Sequence, residues 1–364
     1  MNRLPLRANT DANQLRPVQN TDTEIEACHL SSEHVVWSNT EFCGATDPKV
    51  FVNLPPEEIV ELRAAEMTLL KIFDIPRGHR EEVLFAEIFQ GCSFFCRLRA
   101  LKMFAAAKPF YISGLLNDVA HESFKRVRHL AVGIALDLRP FTYVDENLPG
   151  LADSQKPKKH GTPNSNSAPG LHQIHSDLSA GSPHFHPHFI QLTAEYNDQS
   201  VSTHFAMLPD IIRRLSEETI RVLKQSDRFL HKLSPSFGID HPGVKKPVLW
   251  INPSGRLSIA YSSYGTKVAN DSDRVAFGAK NELDDAISAV TREIVVKTND
   301  SFVFPQDYML HGRASAQNDD GTIKARSVIR TYYRRNLDAL QRLRPKNNFE
   351  FSYLEAVTSP ENQH

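Results

Sequence analysis

The spacing of apolar positions changes near residue 140. Before that point they recur at helical intervals. "LPPEEIVELRAAEMTLLKIF" opens with proline and acids, which suit a helix N-terminus, and sets Ile59, Leu62 and Leu69 on one face. "HREEVLFAEIFQGCSFFCRLRALKMFAAA" predicts a second helix, apolar enough to be buried. "KPFYISGLL" predicts a strand and "HESFKRVRHLAVGIALDL" a further helix. Residues 46–140 are therefore expected to form a largely helical layer. Residues 1–45 are polar and aperiodic and suggest an extended arm.

Beyond residue 140 the segments shorten. "DENLPGLADSQKPKKHGTPNSNSAPG" is rich in Pro, Gly, Ser, Asn and Lys. It predicts a long loop, with 145–170 placed as a lid. Then come strand-like pieces: "LHQIHSD", "HFIQLTAEY", "VSTHFAML", "KPVLWINP", "RLSIAYSSY", "SFVFP" and "RSVIRTYY". Helical patterns at "PDIIRRLSEETIRVLKQ" and "ELDDAISAVTREI" interrupt them. Many short strands with turn signals predict a mainly β fold with flanking helices, a sandwich or barrel core over 141–337 within one domain at 46–364.

Charge excludes some functions. Lys and Arg number 42 and Asp and Glu 43, for a net charge of −1, so nothing draws the chain as a whole to nucleic acid or an anionic membrane. The basic tail "RTYYRRNLDALQRLRPK" suits a solvated face. No apolar run approaches membrane-spanning length. The N-terminal residues lack the apolar stretch of a secretory signal. Four cysteines, Cys28, Cys43, Cys92 and Cys96, do not make a disulfide framework in 364 residues, so a reducing, cytoplasmic setting is expected.

The chemistry concentrates in "GLHQIHSDLSAGSPHFHPHF", residues 170–189, which holds five histidines and one aspartate. His175 and Asp177 are two apart in a strand-like segment, so both point to one side and can reach one cation. "DYMLHGRAS" offers a third ligand, His311. Two imidazoles and one carboxylate on one face, with the opposite face open, suit non-haem Fe(II). Arg326 and Arg330, in "KARSVIRTYYRRN", stand four apart and are expected to share a strand face. A guanidinium is the best partner for the distal carboxylate of 2-oxoglutarate. His172 has the opposite parity to His175 and is expected to face solvent or the loop. His184, His186 and His188 alternate and could share a strand face; structural roles are expected of them. His204 should point away from the site.

The order His-x-Asp, Thr203, His-Gly-Arg and Arg-x-x-x-Arg resembles the taurine dioxygenase superfamily. "MLHGRAS", the "NDDGT" turn and the arginine pair resemble its clavaminate synthase-like branch, over roughly residues 108–337. That resemblance implies a double-stranded β-helix (jelly-roll) core and an Fe(II)- and 2-oxoglutarate-dependent oxygenase that uses O2. It implies metal ligation by His175, Asp177 and His311. It also implies co-substrate binding by Arg326 and Thr203, and an anion contact from Arg330. The chain departs from the branch at Asn299-Asp300 and at "PQDYML" before His311. The resemblance further implies hydroxylation of an amino acid or a derivative, with a basic side chain favoured. Asp271 and Asp273, in "VANDSDRVAF", are the candidates to hold that side chain. Three alternatives stand beside this: a metal-binding β-helix protein without turnover, which would have no use for Arg326 and Thr203; an oxygenase acting on a different carboxylate substrate; and a zinc hydrolase, for which no HExxH-type spacing exists.

Overall fold

In a computed structural model, the proline-led segment forms helix α1 (Pro56–Ile72), with Glu57 and Glu58 in its first turn and Leu62 and Leu69 buried. The long apolar segment after it divides, against expectation. Helix α2 (His79–Ile88) runs into a 3-10 turn at Phe89–Gly91, Cys92 is extended, and α3 (Ser93–Ala105) begins afresh. Glycine is a poor helix former, and the break at Gly91 lets Phe89, Phe94 and Phe95 enter one core. Helix α4 (Ser123–Ala135) completes this layer and buries Phe124, Val127 and Leu130 in the same core.

The structure describes residues 35–38 and 49–358, less 74, 77, 106–107, 145–149, 162–164, 166, 235–240, 253–254, 344 and 346. Most of the expected arm at 1–45 therefore lies outside the described residues. The strands are β1 (Val35–Ser38), β2 (Lys49–Asn53), β3 (Phe110–Ser113), β4 (Arg139–Tyr143), β5 (Asp153–Gln155), β6 (His172–His175), β7 (Phe189–Tyr196), β8 (Thr203–Met207) and β9 (Phe229–His231). They continue with β10 (Val244–Lys245), β11 (Leu249–Ile251), β12 (Leu257–Ile259), β13 (Thr266–Val268), β14 (Arg292–Ile294), β15 (Ser301–Pro305), β16 (Met309–Arg313), β17 (Ser327–Arg334) and β18 (Glu350–Phe351). Helices α5 (Leu208–Ile212), α6 (Glu217–Leu223), α7 (Arg274–Val290) and α8 (Tyr353–Thr358) lie among them. The segment from Pro209 was expected to be one helix; Ser216 caps a new start by accepting from the Thr219 N–H, so α5 and α6 are separate.

Among the described residues the strands build a nine-stranded sheet, β1-β2-β3-β15-β7-β17-β4-β18 with β5 on β17, and a four-stranded sheet, β14-β8-β16-β6. Alternation along β15 and β17 sets the layers. Phe302, Phe304, Val328 and Tyr332 share a core with Phe205 and Met309 of the four-stranded sheet. Val303, Ile329 and Tyr333 point the other way, into the core of α1–α4. A third core, built on Ala206 and Leu310 of β8 and β16, covers the remaining side with residues of α5, α6 and α7. The order of layers is thus helix, sheet, sheet, helix, extensive β structure with helices on both sides.

One expected loop is partly ordered as sheet. Asp153–Gln155 pair with Val328–Arg330, so β5 fastens the middle of the 145–170 segment to β17. Among the described residues no helix is long and apolar enough to cross a membrane.

Candidate metal and co-substrate site

The four-stranded sheet brings His175 and His311 together. Strands β6 and β16 pair antiparallel with His175 opposite His311, and the two rings lie 4.5 Å apart between centroids. Gly312 makes this approach possible: a Cβ there would stand 2.6 Å from the His172 carbonyl oxygen. The chain turns just past the strand, with Leu178 at φ 61°. Asp177, just before that turn, reaches both histidines. Its Oδ1 is 3.1 Å from His175 Nε2, and its Oδ2 is 3.8 Å from His311 Nε2. One potential ligand atom from each of the three residues falls within 4.8 Å of the others. All three residues are buried.

The protonation states suit a cation. Burial pushes the Asp177 carboxyl up, but Arg330 beside it, with His175 and His311, outweighs burial and holds it well below the usual carboxylate range. Arg330 Nη1 donates to Asp177 Oδ2 at 3.1 Å. Burial, then the neighbouring His175, lowers His311 to about 3, so its imidazole is neutral and free to ligate. His175 Nδ1 lies 2.7 Å from the Gln173 carbonyl oxygen, which fixes this ring and leaves Nε2 toward Asp177. His311 Nδ1 is buried with no hydrogen-bond partner. Two imidazoles and one carboxylate form a donor set that would suit Fe(II) and would supply three of its ligands.

Thr203 and Arg326 stand apart from the triad's cavity wall, beside Arg313. Thr203 on β8 is paired with Arg313 on β16, two residues beyond His311 and about 7 Å along the strand. Arg313 donates to the carbonyls of Ala168, Gly170 and Ala314. Arg326 is buried and its Nε has no partner. Burial, then repulsion from Arg313, lowers Arg326 to about 9. Two neighbouring guanidinium groups, one with a buried N–H unpartnered, offer donors that an anion could take. The two arginines of the Arg-x-x-x-Arg pair do not share one strand. Arg326 precedes β17, and a register shift between Ser327 and Val328 separates it from Arg330.

The cavity at the triad is walled by His172, Ser176, Ser179, Lys232, Tyr264 and Arg330, among others. Several sequence-based expectations are corrected here. His172 is buried, not solvent-facing, with its ring 4.2 Å from that of His175. The pairing of β6 with β16 shifts register there, three positions of β6 (His175 to His172) standing against two of β16 (His311 to Arg313), which accounts for the changed parity. His184, His186 and His188 do not share a strand face, because a 3-10 turn occupies Pro183–Phe185; His184 is exposed and His186 is buried against the Gly181 carbonyl. Asp271 and Asp273 are not in the cavity wall. Asp271 is exposed, and Asp273 caps α7 through the Ala276 N–H and pairs with Arg228. His204 points to Glu293, as expected. Arg313 was within reach of sequence reasoning, since it lies two past His311 on one strand. Lys232 and Tyr264 carried no signal.

No family model matches the sequence, and no curated protein matches it. Solved structures do. An asparagine oxygenase in complex with Fe(II), (2S,3S)-3-hydroxyasparagine and succinate superposes at TM-score 0.68 and 16% identity, covering 83% of this chain and 99% of that one. The fold is that of a non-haem iron oxygenase. A second such oxygenase, OrfP in complex with Fe and α-ketoglutaric acid, gives TM-score 0.65 at 19% identity over 81% of this chain and 97% of the other. OrfP with Fe, succinate and (3S)-hydroxy-L-Arg gives TM-score 0.66 at 17% identity over 83% and 99%. The oxygenase fold spans nearly the whole of those chains, and here it carries the His175–Asp177–His311 cluster.

Proposed function

We propose that this protein is an Fe(II)- and 2-oxoglutarate-dependent oxygenase that hydroxylates an unactivated C–H bond of an amino acid or a close derivative. The observation that carries it is the buried cluster of His175, Asp177 and His311, with ligand atoms within 4.8 Å of one another, on the fold of non-haem iron oxygenases. Under this proposal the two facing sheets are the walls of a double-stranded β-helix, and residues 46–364 act as one catalytic domain. Iron(II) with 2-oxoglutarate and O2 supplies the oxidation that turns C–H into an alcohol, with succinate and CO2 as the other products.

The chain's own residues bind and orient. His175, Asp177 and His311 hold the metal. Arg326 takes the distal carboxylate of 2-oxoglutarate, with Thr203 as hydroxyl donor, because Arg326 Nε is buried and lacks a partner. Arg330 neutralises Asp177 and stands at the cavity as an anion contact. Residues 145–170 are the proposed lid, supported by Ser165 in the cavity wall, by the pairing of Asp153–Gln155 with β17 and by the bonds of Ala168 and Gly170 to Arg313.

An amino-acid substrate is supported by the two kinds of solved oxygenase, one holding hydroxyasparagine and the other hydroxy-arginine. The preference for a basic side chain now rests on that second likeness, since Asp271 and Asp273 do not reach the cavity. Among its described wall residues the carboxylate is Asp177, already paired with Arg330. We place the enzyme in the cytoplasm, which its free Cys92 and Cys96 support. A screen of amino acids and derivatives for substrate-dependent succinate release tests the proposal. Release that requires both Fe(II) and 2-oxoglutarate is expected; no release with any of them rejects the substrate class.

A further inference from the structure

The "PQDYML" stretch, where the chain departs from the family it resembles, is not a neutral linker. Pro305 ends β15 in the nine-stranded sheet, and Gln306–Tyr308 form a 3-10 turn leading into β16. Gln306 is buried. Its own N–H donates to the His188 carbonyl at 3.0 Å, which fixes its backbone to the start of β7. Its side chain then crosses to the four-stranded sheet. Gln306 Oε1 accepts from the Asp177 N–H at 3.0 Å, and Nε2 donates to the Asp177 carbonyl at 2.9 Å.

Asp177 needs such a partner. The ladder of β6 ends at His175, and the neighbour on the other side, Ser176, is held by Tyr261. Among the described residues the backbone of Asp177 hydrogen-bonds Gln306 alone. The next residue, Leu178, is in the left-handed region, so nothing downstream continues the strand. An amide that offers both an acceptor and a donor reproduces what a neighbouring strand would supply. An alkyl side chain would leave two buried backbone groups unpaired.

We infer that Gln306 is a positioning residue for the metal centre: it clamps both backbone groups of Asp177 and thereby sets that carboxylate's reach toward His175 and His311. The inference rests on the metal-centre assignment above and adds the strut that spans the two sheets. Residues that orient metal ligands change metal affinity by roughly 10–100-fold when removed.

The test is metal binding, without turnover. Co(II) titrated calorimetrically into metal-free Gln306→Met, well below its unfolding temperature, should bind about tenfold more weakly or worse. Its ligand-field absorption should shift from that of the parent protein. Gln306→Glu keeps the acceptor for the Asp177 N–H and loses the donor, so it should fall between the two. Co(II) affinity within twofold of the parent in either folded variant overturns the inference, whatever happens to thermal stability. Should neither variant fold, amide exchange in the unaltered metal-free protein decides: the Asp177 N–H should be protected, and exchange at the rate of an open amide overturns the clamp. His311→Ala separates the two claims. If it binds Co(II) like the parent, the metal centre itself is misassigned; if it loses Co(II) while Gln306→Met does not, only the strut fails.

Discussion

Two sets of buried arginines sit on either side of the nine-stranded sheet, and they differ in one respect. In the helical layer each is closed by a carboxylate: Arg128 Nε meets Glu66 at 2.5 Å, and Arg97 bonds Glu58 through Nε and Nη2. In the β core Arg313 is met by three backbone carbonyls and Arg326 has no carboxylate bonded to it among the described residues, whereas an unpartnered nitrogen is common to Arg97, Arg128 and Arg326. Burial is similar in both sets. A buried ion pair is a structural solution to a desolvated charge. A buried guanidinium without such an acid can accept an anion from outside, the role proposed above for Arg326. For these four arginines the carboxylate partner, more than burial, makes the difference; Arg330 of the same β core does have one, Asp177. The polar network on the helical side shows the same contrast: His129 contacts Thr193 at 2.6 Å and Thr331 at 2.9 Å and leaves neither ring nitrogen free.

This contrast can be broken in several places. The largest effect is expected at the metal: Asp177→Ala or His311→Ala should abolish succinate release while circular dichroism stays that of the parent. Iron-dependent turnover at the parent rate in either variant would remove the centre.

Next come the arginines. Glu66→Gln strands the charge of Arg128 and should cost about 3–5 kcal/mol in urea unfolding, with metal affinity unchanged in the folded fraction. Arg326→Met should do the reverse. It removes an unpaired buried charge, so stability without co-substrate should hold or rise, while 2-oxoglutarate binding loses about 2–5 kcal/mol. Equal stability losses at both sites would erase the distinction.

A smaller effect is expected from His129. Burial lowers it to about 3, against about 6.5 when unfolded. The unfolded chain therefore takes up the proton first, and this stabilising contribution, complete above pH 6.5, is lost as pH falls toward 3. Between pH 6.5 and 5 the loss is about 2 kcal/mol. Urea titrations at those pH values should show His129→Gln with a shallower acid slope than the parent.

The smallest effects belong to the aspartates once assigned to substrate. Asp273→Asn should cost about 1 kcal/mol or less, since asparagine still caps α7 but no longer pairs with Arg228. Asp271→Asn, at an exposed turn, should cost under about 0.5 kcal/mol. Neither should alter KM for any substrate; a selective rise for a basic one would restore the acidic-pocket idea.

That His175, Asp177 and His311 could share a site was legible because the signals are local: a His-x-Asp pair, and a histidine followed by a glycine that a neighbouring strand needs empty. The helical layer over 46–140 and the short-strand texture after it were legible too, from apolar spacing and turn residues; which faces of β15 and β17 meet which core was not, since every position of both strands is buried. What escaped was set by tertiary pairing. Parity failed at His172 because β6 and β16 slip register after His311. β5 has the sequence Asp-Ser-Gln and no apolar pattern; only its ladder with β17 makes it a strand. Asp273 could have been placed, since an acid just before a helical run is an N-cap signal. The clamp by Gln306 could not, because it depends on two chain segments 129 residues apart.

The most direct measurement is thermal unfolding of the Mn(II)-loaded protein with and without 2-oxoglutarate, in the parent and in Arg326→Met. The parent should gain about 2.7 kcal/mol with co-substrate at a hundred times its Kd, and the variant at the same concentration should gain little. Equal stabilisation of both, or none of the parent, would contradict the claim that the unpaired arginine of the β core is where the co-substrate's carboxylate binds.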